Sequence, residues 1–234
     1  MIPSFRTDFN HRYRPDLYRK LLTSLDAAVG THIQFRVAET PCFFPAELMD
    51  RIATIGADLT ARLVDDNAYL RASRSAIPEA YRVPDETSHP HFMTADFGLV
   101  RTSGGQLEPR LVELQAFPSI FAYQSVLAEA YRETFHLDQS LDPFLGGHTE
   151  TSFWKLYSQV VLGGHDPENV ILSEIDPLHQ KTFPDFLITA ERLGISSRRV
   201  RQLAAAGELE GTIEHGAWRI WASSVDDYAE KRSA

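Results

Sequence analysis

The stretch that decides the fold is "LITAERLGISSRRVRQLAAAGELEGTIEHGAWRIWASSVDDYAEKR", residues 187–232. "TAERLG" reads as the end of a helix, because glycine at Gly194 supplies the left-handed residue that closes one. A turn at Gly194-Ile195-Ser196 follows. A second helix then starts at Ser197, with Ser196 or Ser197 as its cap. Val200, Leu203 and Ala204 form the buried stripe of that helix, and Gly207 stops it. "TIEHGAWRIWAS" reads as a tight hairpin around His215-Gly216. "SVDDYAEKRSA" closes the unit as a short helix. The spacing therefore predicts helix, turn, helix, hairpin and helix. We expect this unit to begin near Phe186, over residues 186–234, and to need nothing from the chain before it.

Residues 1–185 have a different texture. "DLYRKLLTSLDAAV", residues 16–29, sets Leu17, Leu21, Leu22 and Leu25 on one helical face. "AELMDRIATIGADLTARLV", residues 46–64, does the same with Leu48, Ile52, Ile55, Leu59 and Leu63. The start of "IQFRVAETPCFFP" and the run "NVILSEID" read as strands, whereas "IPEAYRVPDETSHPH" reads as loop. "IFAYQSVLAEAYR", "TSFWKLYSQVVLGG" and "FPDFLITAERLGI" are further helices. In "FMTADFGLVRTSGGQLEPRLVELQAFPS", residues 92–119, two apolar runs flank a glycine-rich turn and predict a hairpin. The mixture implies an α/β or α+β body.

That hairpin carries the chemistry of the body. Leu111, Val112 and Leu114 read as a buried strand, so Glu113 among them is costly unless something such as a metal ion pairs with it, the alternative being a short strand that ends at the surface. Glu113 and Gln115 are two residues apart and share a face. Asp96 on the opposite strand lies near them if the pairing is in register. Two carboxylates and an amide carbonyl make a hard-oxygen site suited to Mg2+. Elsewhere the signals are bland. His89 and His91 flank Pro90 with no third ligand, and Cys42 between Pro41 and Phe43 reads as packed. "LGGHDPEN" lacks the Lys-Ser/Thr of a phosphate loop, and no serine- or cysteine-hydrolase pattern is present.

Composition excludes some classes. The chain of 234 residues has a formal net charge of −9 and 43% hydrophobic residues. An acidic chain does not coat nucleic acid or anionic membrane over its whole surface, though a local site is compatible with it. No apolar run is long enough for a membrane span, no N-terminal signal core is visible, and the single cysteine permits no internal disulfide. A cytoplasmic location, with no membrane partner, is the expectation.

Two resemblances sharpen this reading. Residues 187–232 resemble the winged helix-turn-helix of the MerR and excisionase type, in the "TAERLG" helix, the Gly194 turn, the Gly207 stop and the "WRIWASSVDDY" closure. That resemblance implies duplex DNA as partner. Arg198, Arg199 and Arg201 then fall in the first turns of a recognition helix, where arginine forks onto guanine or clamps phosphate. From Leu187 to Ala234, seven Lys or Arg balance seven Asp or Glu, so this unit is neutral overall.

Residues 1–190 resemble the circularly permuted ATP-grasp proteins. The pattern is Asp96, "TSGGQ", Glu113-Leu-Gln115 and Pro118, with Gln115 where the family usually has Asn. "FRVAETPCFFP", "FPSIFAYQ" and "HDPENVILSEIDPLHQKTFPDF" fit as well. The resemblance implies an ATP-grasp-like α/β body with ATP and Mg2+ as cofactors, the metal held by Asp96, Glu113 and Gln115. Arg36 and Lys181 would contact a small carboxylate substrate. The reaction would be ligation of an amine or thiol through an acyl phosphate. The family's nucleotide site is completed by a further long segment that these 234 residues do not hold. An incomplete, inactive body is therefore expected beside the enzyme reading. The alternative is a non-enzymatic DNA-binding protein.

Overall fold

The computed structural model describes residues 1–82, 87, 89–116, 120–172, 179–196, 203–214 and 217–233. Its elements run α1 (Pro3–Arg12), α2 (Pro15–Val29), α3 (Ala46–Asp65), α4 (Asn67–Ala76), β1 (Thr94–Arg101), β2 (Leu107–Gln115), α5 (Phe121–Phe135), α6 (Glu150–Leu162), α7 (Phe183–Leu193), β3 (Gly211–Glu214), β4 (Ala217–Ile220) and α8 (Ala222–Ser233). Strands and helices are mixed, as expected. The sheets are two separate antiparallel hairpins, β1–β2 and β3–β4, and no parallel pair occurs among the described residues. The described residues are thus arranged as α+β, with no layered parallel sheet among them.

The core is built by α2, α5 and α7. Leu21 and Leu25 of α2 are fully buried and join Ala122, Tyr123, Tyr131 and Phe135 of α5 and Ile188 of α7 in one cluster. α2 begins at Pro15, whose fixed φ suits a first helical position, and ends where Gly30 takes φ 77°. α1 was not legible as a helix. Its one buried residue, Phe9, packs on Phe135 with ring centroids 4.8 Å apart, so tertiary contact rather than periodicity holds it there.

Residues 33–37 correct the strand expectation. Ile33 and Val37 are buried with period two, yet no strand forms. A strand needs a neighbour for its backbone groups. Here the Tyr18 hydroxyl donates to the Val37 carbonyl at 2.7 Å, and the Tyr131 hydroxyl donates to that of Ala38. Residues 170–172 of "NVILSEID" are likewise not strand, and 173–178 lie outside the described residues. Cys42 is exposed rather than packed.

α3 and α4 meet at Asp66, whose side chain accepts the N–H groups of Ala68 and Tyr69 and caps α4. The hairpin lies on α3. A Cβ added at Gly56 would meet the Ala95 Cβ at 3.4 Å, and Arg51 donates to the Leu107 carbonyl at 2.7 Å. None of the residues of α3, α4, β1 or β2 belongs to either hydrophobic cluster among the described residues.

Candidate nucleic-acid interface and acidic hairpin

α7 ends as the sequence predicts. Gly194 takes φ 70°, and the Ile195 N–H returns to the Ala190 carbonyl at 2.9 Å. Residues 203–205 are helical, with Leu203 and Ala204 buried. Gly207 at φ 73° closes that segment, and the N–H groups of Glu208 and Leu209 bond back to the Leu203 carbonyl. β3 and β4 then pair from Gly211↔Ile220 to Glu214↔Ala217. The Trp221 N–H donates to the Glu210 carbonyl, and the Glu210 N–H donates to the Ser224 hydroxyl at 2.6 Å, so hairpin and α8 are tied at their junction. Leu203, Ala204 and Leu209 form a small second core with Ile220, Val225, Tyr228 and Ile171. Arg198, Arg199, Arg201 and Val200 lie outside the described residues, as does the start of the second helix at Ser197.

The unit is not independent of the body. Ile188 of α7 is buried in the main cluster, and Leu187 and Leu193 pack against it. Thr189 shares a buried hydrogen bond of 2.8 Å with the Tyr157 hydroxyl on α6. Arg192 stacks over the Trp154 ring at 5.1 Å. Ile171, from before α7, enters the second core. The expectation of a unit needing nothing from the preceding chain is therefore corrected. The apolar face of α7 is claimed by α5 and α2.

Asp185, which sequence reasoning passed over, sits at this joint. It is 2% exposed and accepts the Tyr123 N–H at 2.7 Å. α5 starts at Ile120 with φ 69° and has no cap from its own sequence, so Asp185 caps it from across the core. Burial pushes its carboxyl up to about 6, against the pull of the N–H groups of Tyr123, Ile120 and Ala122. The signal available in the sequence was an aspartate behind Phe183-Pro184 in the first turn of a helix, but its partner is 62 residues away.

On the first hairpin, Asp96 faces Glu113 and Thr94 faces Gln115. The register then slips between Asp96 and Phe97, leaving Val112 as the extra residue of a bulge. Ala95 and Phe97 point at α3, so Asp96 and Gly98 point away from it. The Gln115 amide donates to the Glu113 carboxylate. Asp96, Glu113 and Gln115 are thus brought to one face, and that face is open. Glu113 is exposed, as are Leu111 at 42% and Val112 at 69%. This corrects the reading of a buried strand: solvent hydrates the carboxylate, and no buried partner is required.

The Gln115 amide donates to Glu113 here, so its carbonyl would join a Mg2+ shell with Asp96 and Glu113 only if the amide turned over. Among the described residues no group of three or more His, Cys, Asp or Glu is poised to hold a metal, and His89 and His91 stand with ring centroids 6.5 Å apart. Arg36 and Lys181 are exposed on other segments. The ion pairs Arg12–Asp8, His32–Asp26 and Arg110–Glu108 involve none of these site residues. A groove of about 290 Å³ lined by residues including Ser125, Arg132, Asp142 and Glu150 does not reach the hairpin. Pro118 lies outside the described residues.

Residues 189–233 match the family model of a helix-turn-helix domain. The C-terminal unit is a helix-turn-helix domain. No curated protein and no solved structure matches the chain. Nothing in these comparisons supports an ATP-grasp fold or ligase chemistry. No helix among the described residues is long and apolar enough to cross a membrane.

Proposed function

We propose that this chain binds duplex DNA through its C-terminal helix-turn-helix domain, without catalysing a reaction. The observation that carries this reading is the family match over residues 189–233. The β3–β4 hairpin stands where a wing belongs, which supports it. In this reading Arg198, Arg199 and Arg201 meet phosphates or base edges. A neutral domain on a chain of net charge −9 binds weakly at long range, so the arginines must act at contact.

The test is titration of the full chain with duplex DNA at several salt concentrations. Binding should weaken with salt, and Arg198→Ala with Arg199→Ala should flatten the salt slope by about two units. The far-ultraviolet circular dichroism of the variant should match the parent. Absence of salt-dependent binding to any duplex, with the fold intact, would remove this function.

A second reading is favoured by one observation, the Asp96–Glu113 cross-strand pair. In it, Asp96, Glu113 and Gln115 hold Mg2+ beside ATP, Arg36 and Lys181 contact a carboxylate substrate, and residues 1–185 are an ATP-grasp-like body. The metal would supply charge neutralisation on the nucleotide phosphates. Calorimetry with Mg2+ and ATP decides the matter: micromolar binding that Glu113→Ala abolishes would put this reading first.

A further inference from the structure

We propose that the groove between α5 and residues 138–150 binds a free α-amino acid with an apolar side chain. The groove has a volume of about 290 Å³. Ligand pockets run from about 300 to 1,000 Å³, so this one suits a ligand of the smallest class.

One face of α5 makes its floor. Ser125, Ala128, Glu129 and Arg132 stand at i, i+3, i+4 and i+7 of the helix, and all four line the groove. The small side chains of Ser125 and Ala128 leave its space open. Ser125 is 7% exposed, yet its side chain has no hydrogen-bond partner among the described residues. A hydroxyl so deeply set and unpaired is a position for a ligand's polar group. The facing wall is already in place. Arg132 donates to the Leu141 carbonyl at 3.0 Å, and the Phe144 N–H donates to the Asp142 carboxylate at 2.9 Å. The Phe144 ring lies 5.4 Å from that of Phe153 on α6.

Charge identifies the ligand. Glu129, Asp142 and Glu150 set three carboxylates against the one guanidinium of Arg132 in this groove. None of the four takes part in an ion pair among the described residues. The acidic excess opposes a simple carboxylic acid, and a simple amine would leave the guanidinium unused. A zwitterion engages both. Its carboxylate takes the Arg132 N–H groups that Leu141 does not, its ammonium meets Glu129 and Glu150, and Ser125 adds a hydrogen bond. Leu141, Pro143 and Phe144 supply apolar surface for the ligand's side chain. The inference does not rest on DNA binding, since no residue of the groove lies in the matched domain.

Calorimetric titration of the full chain with alanine, valine, leucine, methionine and phenylalanine tests this. At least one should bind with a dissociation constant below about 1 mM. The amine and the acid that keep its side chain but lack the carboxylate or the ammonium should each bind at least about tenfold more weakly. Glu129→Gln with Glu150→Gln, at exposed positions, should weaken binding at least about tenfold and leave the circular dichroism spectrum unchanged. Arg132→Lys should also weaken it, because lysine keeps the charge but not the two parallel hydrogen bonds. Ser125→Leu fills the groove and should abolish binding, and the glutamine pair carries the test if that variant fails to fold. The inference is overturned if no amino acid of the panel binds below about 1 mM. An amine that binds as tightly as its parent amino acid also overturns it, because the groove is then a cation site. So does binding that none of these variants moves, because the ligand then sits elsewhere.

Discussion

Asp185 carries the strongest single-residue consequence. Its folded pKa of about 6 lies above the ordinary carboxylate value, so the folded state favours the protonated form. The sign follows from linkage: this group's contribution is fully present below about pH 4 and is lost as pH rises through about 6. The loss is on the order of 2–3 kcal/mol. Asp185→Asn keeps an oxygen that accepts the Tyr123 N–H but cannot ionise. The stability of the Asn variant relative to the parent should therefore rise between pH 4 and 7 and then level off, as read by urea unfolding at each pH. A difference that stays flat across this range would mean that the buried carboxylate is not the titrating group. Asp185→Ala should destabilise at every pH, by about 1–3 kcal/mol, because α5 loses its cap and the Tyr123 N–H its partner.

At the scale of elements, α7 joins the matched domain to the main core. It is the first helix of the matched domain and also a wall of the body, through Ile188 and the Tyr157–Thr189 hydrogen bond. Ile188→Ala should cost about 2–5 kcal/mol and lower the main calorimetric transition of the whole chain. If the main transition stayed in place and only a small separate one moved, α7 would belong to the C-terminal unit alone. Gly194 sits between the two domains of influence at φ 70°. Gly194→Ala should cost about 1–2 kcal/mol from backbone strain, since open space surrounds the position and no clash adds to it. Thermal unfolding of this variant beside Gly104→Ala, at a glycine without positive φ, separates strain from loss of flexibility.

For the whole molecule, burial is uneven. The core of α2, α5 and α7, with Phe9 of α1, holds the largest fully buried side chains of the body, whereas the α3–α4–hairpin lobe holds only Leu48 and Gly56 as buried residues among those described. Hydrogen exchange should therefore release the amides of α4 and the β1–β2 hairpin through lower-energy openings than those of α2 and α5. Equal protection across both regions would mean that the lobe is stabilised as strongly as the core.

The sequence by itself determined the elements whose signal is local. The leucine stripes of α2 and α3, the "TSGGQ" turn and its flanking alternation, and the Gly194 and Gly207 stops are short-range patterns, and each is found where it was read. The helix-turn-helix was legible for the same reason. The Asp96–Glu113 pairing was not fixed by the turn: counted from Arg101↔Leu107, an unbroken register sets Asp96 opposite Val112, and the bulge moves it to Glu113. Tertiary structure alone decided which faces are covered. Leu111 and Val112 looked like core, but Val112 faces away from α3 and is 69% exposed, and Leu111, opposite Phe97 on the α3 side, is still 42% exposed. Residues 33–37 looked like a strand, but tyrosine hydroxyls from α2 and α5 took the Val37 and Ala38 carbonyls. Asp185 looked like a first-turn acid of its own helix, yet it caps another, because burial and hydrogen-bond partners are set by residues distant in the chain.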